Sequence, residues 1–188
     1  TKTGSIYSLK YGNNSVITEG KGPRINAIRA FVNNDNWAYE PWFANGLHNL
    51  HHKALSHSFT QNRDGTVTAV FTVESQAPQA AKIFGGTSSG RNRIEELTDK
   101  KFGSNDFKFT NNLVYTIYPD GSIELQSSIT SNKPGLTLAK LGYVMNVPQQ
   151  YANYTYYGRG SYDNYADRKT GAFFAQYQST VAKQYVNF

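Results

Sequence analysis

Four histidines, His48, His51, His52 and His57, fall within one ten-residue stretch. On a helix the first three would share a face, a spacing compatible with metal ligation. No carboxylate follows before Asp64, and zinc sites commonly need a third strong ligand. Three imidazoles on a solvated helix face are the plainer account, and no metal is expected. The carboxylates are the other resource. Acid–base cleavage of a glycosidic bond needs two of them facing one another, with pKa values driven apart. Glu95 and Glu96 are neighbours in "RNRIEELTDK", which reads as helical, so they diverge. Asp163 and Asp167 sit in "YYGRGSYDNYADRKTGA". On extended backbone, Asp167 and the adjacent Arg168 face opposite sides and need different partners. That pattern describes a structural network, so no catalytic residue is assigned.

Two further stretches invite a binding role. Gly158-Arg159-Gly160 resembles half of a phosphate-cradling loop but lacks the third glycine and a following helix signal. Beside Tyr156, Tyr157 and Tyr162, the glycines fit a bulge or a close strand approach equally well. Aromatic faces there would also stack on sugar rings, although core tyrosines are the commoner case. Asn33, Asn34, Asp35 and Asn36 precede Trp37. Such residues hold a loop by bonding their own backbone, and they would equally suit a polyhydroxylated ligand.

The elements that must position these residues are mostly strands. Asp64-Gly65 and Asp120-Gly121 each separate two strand-like runs, the mark of a hairpin turn. Val67, Ala69, Phe71 and Val73 alternate with Thr66, Thr68 and Thr72, and Ile123, Leu125, Ser127 and Ile129 alternate with polar residues. One buried face per strand follows. Further strands are predicted at 5–9, 24–31, 138–147, 153–159 and 172–178, with short helices near Pro41 and at 91–100. Hairpin-joined strands without alternating helices predict an antiparallel all-β sandwich.

Composition agrees: 14 Tyr and 11 Phe are strand chemistry, and no run approaches the roughly 20 apolar residues of a membrane helix. The formal charge of +6 is scattered, with Lys100-Lys101 the longest basic run, so neither nucleic acid nor a membrane is an expected partner. There is no cysteine, which removes disulfides. No signal peptide is read, and the compartment is left open. Both ends, "TKTGSIYSLKYG" and "STVAKQYVNF", read as cut from something longer.

Together, two stretches carry a resemblance. "YYGRGSYDNYADRKTGA" resembles the W/Y-Y-G-R-G-P-x-E-N/S-Y-x-D-R signature of the large family-two β-galactosidases, and "IRAFVNNDNW" resembles their earlier R-A-P-x-D-N-D signature. "GSIYSLKYG" looks like the opening strand of the same domain, and "GLHNL" like the segment after the loop. Arg29, Ala30, Asn34 and Asp35 fit the first signature, with Phe31 and Asn33 replacing its Pro and first Asp. Gly158, Arg159, Gly160, Asn164, Tyr165, Asp167 and Arg168 fit the second, with Ser161 and Asp163 replacing its Pro and Glu.

The resemblance implies a single partial domain, residues 1–188, from the N-terminal part of a C-terminal supersandwich similar to galactose mutarotases. Its partners would be the remaining domains of the parent, including an upstream barrel that carries the catalytic glutamates. Galactoside would bind only in the intact enzyme, and this segment would hold no cofactor. The loop after the first signature borders the active-site mouth in that family, which would bring Asn34, Asp35, Asn36 and Trp37 near substrate. Arg168 is then expected to be buried. Trp37 and the edge at 185–188 are expected to be exposed and to drive self-association. A free-standing carbohydrate-binding module and a mutarotase-like epimerase are the rival readings. The epimerase would need a His acid and a carboxylate base, and the bunched histidines offer no obvious partner.

Overall fold

A computed structural model describes residues 2–30, 33–84, 93–162, 164 and 168–184. Twelve strands appear in chain order: β1 (Lys10–Tyr11), β2 (Asn14–Ser15), β3 (Arg24–Asn26), β4 (His51–Gln61), β5 (Val67–Gln76), β6 (Gln79–Phe84), β7 (Arg93–Lys101), β8 (Phe109–Ile117), β9 (Ile123–Ser131), β10 (Gly142–Val144), β11 (Asn153–Gly160) and β12 (Phe173–Thr180). One short helix, α1, covers Tyr39–Ala44. Every strand pairing among the described residues is antiparallel, and the chain is all-β as its alternating patterns predict. The strands group into two compact units, Thr1–Tyr7 with Glu19–Met145 and Ser8–Thr18 with Asn146–Phe188.

The first unit is organised by a four-stranded sheet in the order β4-β5-β8-β9. Period-two alternation turns Ala69, Phe71, Val73 and Ser75 of β5 to the same face as Phe109, Asn111, Leu113 and Tyr115 of β8, and all eight are buried. Each large apolar side chain buried there contributes on the order of 1.5–3 kcal/mol. One end of this face joins Phe107, Trp42, Leu47, Ile25 and Ala27 around Phe109. The other gathers Ala69, Phe71, Val73, Leu113 and Tyr115. Between the two lies a polar patch: the Asn111 amide donates to the Tyr143 hydroxyl (2.5 Å), and the Ser127 hydroxyl donates to Asn111 Oδ1 (2.9 Å). These bonds tie β10, which pairs with β3, to the sheet.

The two Asp-Gly turns share one design. Gly65 and Gly121 both have φ +86°, while no non-glycine residue has positive φ among the described residues. In each case the glycine N–H bonds back three residues, to Asn62 O or Tyr118 O, and the residue after it accepts from that same position. This is a three-residue turn ending in a left-handed glycine, so the aspartate serves through its side chain. Asp64 Oδ1 accepts from the Thr66 amide and hydroxyl, and Asp120 Oδ1 from those of Ser122. These bonds hold both carboxyls below the usual aspartate range.

Four expected elements differ. Of the strand expected at 24–31, only Arg24–Asn26 forms among the described residues, because its partner β10 begins at Gly142, opposite Asn26. Residues 5–9 form no strand, because the segment before them lies over the sheet's buried face. There the Tyr115 hydroxyl donates to Gly4 O (3.3 Å), Ala54 N–H donates to Lys2 O (2.8 Å), and Ile6 packs on the core. The strand expected at 138–147 shrinks to β10, since Leu138 and Ala139 pack against the Phe109 cluster instead. Within the helix expected at 91–100, residues 93–100 belong to β7. Pairing with β6 sets Lys82 opposite Glu95 and Ile83 opposite Ile94, and this tertiary context overrides the helical preference of the Glu-Glu-Leu run.

The second unit contains the β1–β2 ribbon and the β11–β12 hairpin. Eight residue pairs run from Asn153↔Thr180 to Gly160↔Phe173. Tyr154, Tyr156 and Tyr177 stack along one face, with ring centroids 6.2 and 5.4 Å apart.

Candidate functional site

The loop before α1 is built on one ion pair. Both Arg29 terminal nitrogens donate to Asp35, at 2.6 and 2.9 Å, and Arg29 Nη1 also donates to Ala30 O (2.9 Å). Such a fork-to-fork pair fixes geometry as well as charge. A 3-10 turn at Asn33–Asp35 and the bond from Ala38 N–H to Asp35 O (2.8 Å) then lead into the helix. Below, Trp42 is buried, with its indole N–H donating to Thr137 O (2.7 Å) and its ring 6.0 Å from the Arg29 guanidinium carbon. The four loop residues therefore divide. Asp35 turns inward as the anchor, whereas Asn34, Asn36 and Trp37 face outward, Trp37 with 71% of its surface exposed. Two amides beside a flat indole can hydrogen-bond hydroxyls and stack on an apolar ring face. Both Asp35 oxygens are engaged by Arg29, so the loop holds no free acid or base of its own.

The second signature lies in β11 and the segment after it. Gly160 is needed for packing: a Cβ there would run into the Tyr156 hydroxyl and lie 2.9 Å from two Tyr177 ring carbons. The Tyr177 hydroxyl reaches Phe173 O (2.9 Å) and Gly160 O (3.1 Å), locking the end of the hairpin. Gly158 has room, with its nearest neighbour 3.6 Å from a built Cβ. Arg159 donates to Ala172 O (2.8 Å), and its guanidinium lies 4.6 Å above the Phe174 ring. Asn164 is exposed, and Asp163, Tyr165 and Asp167 lie outside the described residues, as does the edge at 185–188.

Arg168 corrects an expectation, since it is exposed rather than buried. It lies beyond the last ladder pair, Gly160↔Phe173, where the aromatic strand surface ends, and Arg159 is the arginine that binds carbonyls there.

The histidines also differ from the shared helix face. His48 lies in a 3-10 turn at Leu47–Asn49, and His51, His52 and His57 lie on β4. His52 bonds the Ser75 hydroxyl (2.8 Å). Burial, then the Arg24 charge and His51, lowers its pKa from the ordinary value. His57 packs by Phe59 and Phe71. His48 does have a carboxylate partner: its Nε2 is 2.8 Å from Glu96 Oε1, joining the turn to β7. Local pattern carries no signal for this contact across 48 residues of chain. Tyr177 and Phe174, also missed as individual contacts, lie within the strand expected at 172–178. Among the described residues, no three histidines and carboxylates gather as a metal-ligand set.

Comparison with known proteins matches the beta-galactosidase small-chain family over residues 1–188. The beta-galactosidase of Priestia megaterium (strain DSM 319 / IMG 1521) is 32% identical over 72 residues, 38% of this chain and 7% of that protein. The beta-galactosidase of Halalkalibacterium halodurans is 36% identical over 70 residues, 36% of this chain and 7% of that protein. The matched stretch thus spans a small part of either relative, while the family match runs through both signatures and every element described above. This chain belongs to the beta-galactosidase small-chain family.

Proposed function

We propose that the chain is a non-catalytic segment of an enzyme that hydrolyses terminal β-galactosides, and that its 33–37 loop borders that enzyme's sugar site. The observation that carries this reading is the Arg29–Asp35 clamp, which anchors the loop while leaving Asn34, Asn36 and Trp37 outward. Rigid anchoring of exposed polar and aromatic groups is what sugar positioning requires. The segment is one partial domain, the N-terminal part of a supersandwich, and its partners are the parent's other domains. It holds no cofactor or metal of its own. Arg29, Gly158, Arg159, Gly160, Asn164 and Arg168 serve architecture. Asp163, Tyr165 and Asp167 share that assignment by position in the signature.

The epimerase alternative finds a His–carboxylate pair in His48 and Glu96, but the two bond each other at 2.8 Å. An acid and a base acting on one sugar carbon must leave room for it between them. A free-standing binding module would need no parent domains to hold galactose or lactose at the 33–37 loop.

The test uses the full-length enzyme that contains this chain. Trp37→Ala should raise KM for a chromogenic β-galactoside roughly three- to tenfold with kcat within about twofold, the pattern of lost ground-state binding. The 188-residue chain alone should show no turnover. An unchanged KM removes the loop from the sugar site, and turnover by the chain alone removes the non-catalytic assignment.

A further inference from the structure

The outward face of the β11–β12 hairpin has no role in the loop just described. The strand register sets Thr155, Tyr157 and Arg159 of β11 opposite Gln178, Gln176 and Phe174 of β12. Tyr157 is 78% exposed and Phe174 61%, with ring centroids 6.4 Å apart and planes tilted by 33°. The tyrosines on the opposite face stack on one another instead, so these two rings lack equivalent cover among the described residues.

We propose that this face is a second sugar-binding surface, on which Tyr157 and Phe174 take pyranose rings of a neutral, β-linked oligosaccharide. Three features favour sugar over a protein surface. The two rings are exposed with planes only 33° from parallel, and an exposed aromatic face suits the polarised axial C–H groups of a pyranose. Their neighbours, Thr155, Gln176 and Gln178, are exposed amides and a hydroxyl, which can both donate to and accept from hydroxyl groups. An apolar protein dock would bring aliphatic side chains, and none lies between Asn153 and Gly160 or among their facing partners on this side.

Arg159 is the orienting group. Its bond to Ala172 O and its stacking on Phe174 hold the guanidinium in place. The bonds described use only Nη1, leaving other N–H groups for ligand oxygens. Among the ladder residues of β11 and β12, that face carries no carboxylate, which leaves no metal bridge in its recognition. The surface lies wholly in the second unit and stands independently of the 33–37 loop.

The test is a titration of the folded 188-residue chain with lactose and with a β-linked galactotetraose, followed by amide chemical shifts. Binding should be weak and saturable, with shifts centred on residues 153–160 and 173–180, and Trp37→Ala should leave it unchanged. Tyr157→Ala and Phe174→Ala should each weaken it roughly tenfold, a factor equal to about 1.4 kcal/mol, with circular dichroism unaltered. Gln176→Ala should have a smaller effect of the same sign. A flat titration, shifts confined to residues 33–37, or full binding by the Tyr157 and Phe174 variants would each overturn the proposal. So would a double variant that alters sedimentation while the parent chain shows no sugar response, since the face would then be a contact between copies.

Discussion

The four-stranded sheet and the β11–β12 hairpin both place aromatic residues at alternating positions, but they use them differently. In the sheet, Phe71, Phe109 and Tyr115 point to a face covered by chain segments before and after it, and all three are buried. In the hairpin, Tyr154, Tyr156 and Tyr177 shield one another by stacking, while Tyr157, Phe173 and Phe174 remain open to solvent. Alternation therefore fixes which side chains share a face, and the layer above that face decides whether the face becomes core. Two strands alone cannot supply such a layer, and an isolated hairpin is marginal in water.

The sharpest way to break this comparison is to truncate one ring in each region. Phe109 is 2% exposed and meets Phe107 edge-to-face with centroids 4.9 Å apart. Phe109→Ala should destabilise the first unit by about 3–5 kcal/mol, since packed neighbours relax only partly into the void. Tyr157→Ala should lie within about 0.5 kcal/mol of the parent. Chemical denaturation of both variants checks the contrast. Equal losses would mean that the hairpin face is as well packed as the sheet.

This difference also marks what was legible in the sequence. The β5, β8 and β9 patterns, both Asp-Gly turns and the clustering of signature residues are local, and local spacing is what a sequence displays. The partners that give those residues their roles are remote. Trp42 reaches a carbonyl 95 residues away, and Tyr115 one 111 residues away. The inward turn of Asp35 depends on Arg29 six residues earlier, a spacing that no regular helix or strand dictates. The same limit explains β7, where the local preference was helical but pairing with β6 prevailed. It also explains Arg168, whose residue type suggested a buried pair while its place beyond the ladder leaves it exposed.

A subtler contrast lies within the hairpin, between its two signature glycines. Gly160→Ala must displace the Tyr156 hydroxyl or the Tyr177 ring, and overpacking of this kind typically destabilises by about 1–3 kcal/mol. Gly158→Ala meets only ordinary van der Waals contact. Strand glycine to alanine should then be neutral or stabilising by up to about 1 kcal/mol, because the unfolded chain loses freedom. Hydrogen exchange at the amides of residues 173–180 reads the hairpin directly. If Gly158→Ala loosens it as much as Gly160→Ala, close tyrosine packing is not why the second glycine is there.

The smallest effect expected near neutral pH is electrostatic, and it belongs to the buried face of the sheet. His52 has its pKa lowered chiefly by burial, so the unfolded chain takes up its proton first as pH falls. Its contribution to stability is therefore fully present above about pH 6.5, the ordinary histidine value, and is lost as pH falls from there through the lowered folded value. Tyr115 behaves in the opposite sense: burial, with Tyr143 adding to it, pushes its pKa up to about 12. The unfolded chain then releases that proton first, so stability declines as pH rises from the ordinary value near 10 through about 12. Two single variants separate the limbs. His52→Gln should flatten the acid side below pH 6.5 while leaving the alkaline side intact. Tyr115→Phe should flatten the alkaline side, with an offset at all pH values from losing the bond to Gly4 O. Thermal melts across pH, followed at the sheet amides, measure both slopes. An acid limb between pH 6.5 and about 4 that survives His52→Gln unchanged would remove His52 as its source, because the turn aspartates, Asp64 and Asp120, with their lowered pKa values, act only as pH falls below about 4.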